Sequence, residues 1–254
     1  MKTQKIRALV GVELKKVYRD PMTLVVLLLM PVGLTLVFYL ALSGVSNDYY
    51  PYRDMSHFEY LLPGVMGYAV IYMGMMVALA LVDYRQAGLL KRVDVTPVSP
   101  WEYLGSLVIA NVVIATAQAM VVLLLARILG FEPLGGPVGI LFAALFIALL
   151  AVTAVGLGLL TAAVAKSSGA ASGLAVIFIV PMMMFGALLA VFDETTLTIA
   201  RFMPNFYVSD SLSIIFHTGS VSDPALWRNL LILLAISAVV VVAGIQLFKR
   251  NEFR

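Results

Sequence analysis

The chain has 254 residues, of which 62% are hydrophobic and only 12% charged, and its formal net charge is +3. That leaves too little polar surface to clothe a water-soluble fold of this size. Cysteine is absent and histidine occurs twice, which excludes disulfides, thiolate metal sites and a His-rich site within one chain. The basic residues also lack the spaced stacking aromatics of a single-strand nucleic-acid binder, so no nucleic-acid partner is expected.

In residues 1–21, Ile6, Leu9, Val10, Leu14 and Val17 recur at helical spacing, and Lys5, Arg7, Glu13, Lys15 and Lys16 largely take other faces. This predicts an amphipathic helix lying in a headgroup layer, its stripe in lipid and its lysines near anionic phosphates. Asp20-Pro21 marks a turn into the next helix, with Asp20 as a cap and Pro21 in the first turn. A cleavable signal peptide is not expected, because the basic segment is long and no small-x-small site follows Leu42-Ser43-Gly44.

Six apolar stretches follow: Met22 to Leu42, Leu61 to Val82, Tyr103 to Ala126, Val138 to Ala165, Ser167 to Phe192 and Asn229 to Phe248, none containing Asp, Glu, Lys or Arg. Each reaches the roughly 20 residues that a helix needs to cross about 30 Å of hydrocarbon. The expected fold is therefore an all-α polytopic membrane protein with six transmembrane helices over residues 22–248 and a short tail at 249–254. Of the 17 Lys and Arg residues, only Arg53, Arg127, Arg201 and Arg228 fall in the gaps on one side. The positive-inside bias puts both termini in the cytoplasm, in a multi-pass protein of the cell membrane.

Pro31 and Pro181 interrupt the first and fifth stretches, each removing a backbone donor that a neighbouring helix must compensate. Gly64, Gly67, Gly74, Gly156 and Gly158, with the small residues Gly169, Ala170, Ser172 and Gly173, predict close helix contacts. Asn111 and Gln118 stand seven residues apart on nearly one face of the third stretch. Two readings are open for them: a neutral polar lining for a substrate path, or interhelical hydrogen bonds. No charged relay crosses the bilayer, so energy for active transport must enter elsewhere.

The entry point is residues 83–102. Leu89, Leu90 and Val93 give a short apolar face ringed by Arg85, Lys91 and Arg92, and Pro97 and Pro100 stop its continuation into the third stretch. Such a knob is something a cytoplasmic partner can grip. Together with the amphipathic leader and six spans, Arg85, Gly88, Leu90, Arg92, Thr96, Pro97, Ser99 and Tyr103 resemble the membrane subunits of ABC-2 type transporters, especially the small drug and antibiotic resistance exporters. The resemblance covers nearly the whole chain. Gln86 and Lys91 stand where acidic residues are common in that family, and Leu89 where Thr is common.

The resemblance implies a coupling element, with Arg85, Gly88, Leu89, Leu90, Arg92, Thr96 and Pro97 as its residues, docking into separate cytoplasmic ABC ATPase subunits. It implies a second permease copy, expected as a homodimer around the transport path. ATP and Mg would belong to the partner; this chain has no G-x-x-x-x-G-K-[ST] loop and is not expected to be an enzyme or to hold a cofactor or metal.

Residues 193–228 are too apolar for a free loop, and Met203-Pro204-Asn205 divides them into two short helical pieces that dip toward, or lie along, the outer leaflet. The resemblance makes them a re-entrant hairpin, with Phe202, Met203, Phe206 and Tyr207 as a candidate outer gate; an interfacial hairpin without gating is the other reading. The expected activity is ATP-driven export of a hydrophobic or amphipathic substrate such as a drug or lipid-like compound. Export of a polysaccharide or lipid-linked glycan is the alternative within the family. A membrane assembly protein, or a lipid-modifying enzyme drawing on Asp83, His57, Glu59 or His217, is the alternative outside it, although the topology separates Asp83 from the histidines.

Overall fold

The computed structural model describes residues 2–45, 56–90, 97–185 and 194–252. Nine helices are described among them: α1 (Lys2–Arg19), α2 (Pro21–Leu42), α3 (His57–Gln86), α4 (Pro100–Ile128), α5 (Gly136–Val164), α6 (Ser168–Met183), α7 (Glu194–Ala200), α8 (Pro204–Thr218) and α9 (Pro224–Glu252). Local chemistry sets most of the starts. The Asp20 carboxylate accepts from the Met22 and Thr23 amides at 3.1 and 3.2 Å, with Pro21 in the first turn of α2. Ser56 with Glu59, and Ser99 with Glu102, form reciprocal capping boxes at α3 and α4. Each box satisfies two backbone donors that a helix start otherwise leaves open.

Five helices (α2, α3, α4, α5 and α9) are long and apolar enough to cross a membrane. The expected fifth span, Ser167 to Phe192, is described only in part. Its α6 runs for 16 residues and passes into π-helical backbone at Met184 and Phe185, and residues 186–192 lie outside the described residues. The last span also begins earlier than expected, at Pro224 rather than Asn229. Large apolar side chains such as Leu29, Val37 and Leu40 on α2, Leu141 on α5 and Leu231 and Val239 on α9 remain exposed. On a water-soluble molecule such a belt would be a liability, whereas lipid solvates it.

Helix α5 is the hub, packed against α3, α4, α8 and α9. A Cβ at Gly158 would collide with the backbone oxygen of Gly74, and one at Gly74 with the backbone oxygen of Ala154. On the opposite face, a Cβ at Gly244 would lie 2.7 Å from the Gly156 oxygen. The expectation of close glycine contacts is thus met at Gly67 and Gly74 of α3 and at Gly156 and Gly158 of α5. It is not met at Gly169 and Gly173 of α6, where an added Cβ would have nothing within 4 Å among the described residues.

The amphipathic leader differs from expectation in what its stripe touches. Helix α1 packs chiefly along α4, and Ile6, Leu9, Val10, Leu14 and Val17 are half-buried. Lys5 Nζ donates to the Pro97 carbonyl at 2.7 Å and Lys16 Nζ to the Tyr84 hydroxyl at 3.0 Å. Protein covers part of the stripe that the spacing alone assigned to lipid. Arg7, Lys15 and Arg19 remain exposed.

Helices α7 and α8 are the two pieces expected around Met203-Pro204-Asn205. Val208, Leu212, Ile215 and Phe216 of α8 are buried, and α8 packs on α3, α5 and α9. Its first turn seats Asn205 on Gly67 with the Asn205 amide 3.4 Å from the Met182 carbonyl, and its last turn meets Leu134 and Gly135. Gly67 lies ten residues into α3, about 15 Å along that helix. Helix α8 therefore rises from inside the bundle to one of its ends.

Candidate functional site

At the end of α3 the Ala87 amide donates to Asp83 O at 2.9 Å and the Gly88 amide to Arg85 O at 3.0 Å, and Gly88 then takes φ +69°. A residue with a Cβ resists that left-handed conformation, so glycine sets the direction in which the chain leaves the helix. Beyond it the expected apolar pair divides. Leu89 is 39% exposed, whereas Leu90 is 5% exposed and packed with Leu81, Leu104, Ala171 and Phe248. Arg92 and Thr96, like Lys91 and Val93, lie outside the described residues. Pro97 is exposed, its carbonyl held by Lys5.

Arg85 points into the bundle. Its Nη1 donates to the Ala165 carbonyl at 2.6 Å and its Nη2 to the Ala162 carbonyl, its Nε lies 2.8 Å from Glu252 Oε1, and its guanidinium stands over the Phe248 ring. Nearby, Asn251 Nδ2 donates to the Ala163 carbonyl at 2.9 Å, and Ser168 Oγ donates to Asp83 Oδ1 at 2.5 Å. The carbonyls that end α5 lack intrahelical donors. Side chains from α3 and α9 supply them, and Arg85 adds a positive charge at the negative pole of α5. The turn after α3 is thereby fixed to the α5–α6 junction and to the end of α9, at the end of the bundle where Lys5 and Lys16 of α1 also make their contacts.

A cavity of about 430 Å³ opens beside this node between α1, α2, α3 and α4. Leu27, Met73, Met76, Val77, Leu107 and Ile114 line its inner part, and Glu13, Lys16, Asp20 and Tyr84 its mouth. Lys16 lies 3.1 Å from Glu13 and its ammonium also sits 4.6 Å from the Tyr84 ring centroid. Burial depresses the Lys16 pKa, but the Tyr84 hydroxyl bond and the Glu13 charge outweigh it, so the net direction is upward from the usual lysine value. Thr23, through its side chain and then its amide, holds the Asp20 carboxyl below the usual carboxylate range.

The two polar residues of α4 have different surroundings. Asn111 lines the cavity, with its amide turned back to the Leu107 carbonyl of its own helix at 2.8 Å. Gln118 is buried and its Nε2 donates to the Leu27 carbonyl of α2 at 2.6 Å. Leu27 is four residues before Pro31, so its carbonyl is the one that proline leaves without a backbone donor. Gln118 replaces that donor. Of the expected gate residues, Phe202 is 78% exposed, Phe206 and Tyr207 stack edge to face at 5.5 Å, and Tyr207 Oη donates to the Arg201 carbonyl at 2.6 Å. Met203 packs against the main core.

The residues missed by spacing arguments are those at the cavity mouth and Glu252. Glu13 and Lys16 carried an i, i+3 signal on α1; Glu252, in the tail, carried none. No group of three or more potential metal ligands occurs among the described residues. A family model described as ABC-2 type transporter matches residues 4–217, from α1 to the last turn of α8. A search of curated proteins gave no match.

Proposed function

The chain belongs to the ABC-2 type transporter family as a membrane permease, and from that premise we propose that it is the membrane half of an ATP-driven exporter of hydrophobic or amphipathic compounds. Its node end faces the cytoplasm, where the excess of Lys and Arg lies. A partner ABC ATPase grips the turn after α3 through Leu89 and the residues that follow. ATP and Mg reside in that partner, and two permease copies enclose the path. Because the family's fold carries unlike cargo, the substrate class rests on this chain's own apolar cavity rather than on the family.

The observation that carries the coupling step is the set of contacts made by Arg85. A push on the turn cannot move α3 alone, since the guanidinium joins it to the carbonyl end of α5 and to Glu252 of α9. The displacement passes to α5, and through α5 to α8, whose first turn lies deep in the bundle beside Gly67. Helix α8 and the preceding turn, with Phe202, Met203, Phe206 and Tyr207, act as the outer gate. Differential affinity of the ATPase for two arrangements of this linked set supplies the work.

Reconstitution with a partner ABC ATPase tests the proposal. Hydrolysis stimulated by apolar drugs and absent from the chain alone is the expected result. Stimulation by lipid-linked saccharides only would replace the substrate class. Leu89→Asp should release the ATPase on co-purification while the permease stays folded, and retention of the ATPase by that variant would remove Leu89 from the dock.

A further inference from the structure

The cavity between α1, α2, α3 and α4 carries its charged lining groups at one end only, and Asn111 is the polar residue among its inner walls. Along α3 it extends from Tyr84 to Met73, eleven residues or about 16 Å, roughly half the hydrocarbon thickness. Its volume of about 430 Å³ falls in the range of small-molecule sites, about 300–1,000 Å³. An occupant must therefore be an amphiphile whose head stays beside α1 and whose tail lies against Met73, Met76, Leu27 and Ile114.

The charges at the mouth decide the sign of that head. Among the described lining residues Glu13 and Asp20 oppose Lys16, leaving one net negative charge, while Lys15 and Arg19 are exposed and do not line the cavity. The acid is also the buried member of the ion pair: the Glu13 side chain is 17% exposed and that of Lys16 50%. Lys16 has a second partner, the Tyr84 hydroxyl and ring, so it can leave Glu13 without losing every contact. An arriving cation can take its place, whereas an arriving anion would meet two carboxylates and one ammonium among the described lining residues.

We propose that this cavity is a binding site for amphiphiles with a cationic head, whose ammonium replaces Lys16 on the Glu13 carboxylate. The proposal deepens the export reading by naming a substrate class, and it rests on that reading for its role in transport. Its test is binding and needs no ATPase.

Full-length protein in zwitterionic nanodiscs is titrated with two fluorescent probes of equal tail, one ending in a quaternary ammonium and one in a sulfonate. The ammonium probe should bind more tightly, and Glu13→Gln should weaken it by about tenfold, the worth of one charge-assisted contact. Lys16→Gln should strengthen it, because the carboxylate is then unopposed. Both substitutions break the same ion pair, so structural damage to α1 would shift affinity in one direction, while a charge-selective site shifts it in two. Equal affinity for the two probes, or parallel shifts in the two variants, overturns the proposal. If the charge preference fails while the reconstituted complex still exports neutral drugs, the export reading stands without this site. If binding behaves as expected while ATP drives no export, the site stands and the export reading falls.

Discussion

Where α3 crosses α5 and α5 crosses α9, backbone meets backbone at Gly74, Gly158, Gly156 and Gly244, whereas α2 and α4, of equally apolar sequence, leave with the amphipathic α1 about 430 Å³ open beside α3. The first region leaves little room for one helix to shift without its neighbour. The second is bridged by a few polar contacts (Gln118 to Leu27, Lys16 to Tyr84, Lys5 to Pro97) that can exchange partners. The contrast suggests that transmission runs through the glycine-packed side and accommodation of a ligand through the other. Similar hydropathy therefore says little about mechanical role; side-chain volume at the crossings decides it.

The sharpest break in that comparison is Gly158→Leu. The added side chain meets the Gly74 backbone, which cannot rotate away, and stability should fall by about 3 kcal/mol, the upper range for overpacking. Thermal unfolding in detergent measures it. Gly173→Leu on α6, with open space around it, should leave the midpoint nearly unchanged, and an equal loss at both sites would erase the distinction.

Next in size is Arg85→Ala, which strips donors from Ala162 and Ala165 and leaves Glu252 without its cation. A loss of about 2–3 kcal/mol is expected for a charge-assisted, mostly buried set of bonds. Arg85→Lys should recover only part of it, since a single ammonium cannot reproduce the planar fork. A loss of ATPase stimulation in both variants, with the partner still bound, would tie the node to transmission rather than to docking.

On the open side, Gln118→Leu should cost about 1–2 kcal/mol because the Leu27 carbonyl is left without a donor. Pro31→Ala restores a backbone N–H at the right position, so in that background Gln118→Leu should cost little. A double-mutant cycle measures the coupling, and additive losses would mean that Gln118 serves some other purpose.

The smallest effect concerns pH. The raised Lys16 pKa means that its contacts contribute stability in full below about 10.5, the unfolded reference, and lose it as pH climbs through the higher folded value. A fluorescent label on α1 should report loosening in that alkaline range, and Lys16→Met should remove the step.

Much of this architecture could be read from residue order. Charge-free stretches located the long helices, Asp20-Pro21 located the start of α2, and Met203-Pro204-Asn205 located the break between α7 and α8. These signals are local, and local chemistry is sufficient for them. The site was less legible. Arg85 reads as a surface cation because helical spacing shows its position on α3 but not the open carbonyls of α5 nearly 80 residues on. Leu90 reads as part of an exposed pair because nothing nearby in sequence announces Phe248 or Ala171 above it. Pro31 announces an orphan carbonyl at Leu27, yet many donors in later spans could have answered, and only packing selects Gln118.

That last pairing has a consequence for motion. An ordinary proline bend lets two halves of a helix swing freely about the missing bond, but here the vacancy is filled from α4, so α2 can flex at Pro31 only by dragging α4 along or by giving up its substitute donor. The bend is a joint with two owners, and any change of angle in one helix is registered in the wall of the cavity that the other lines.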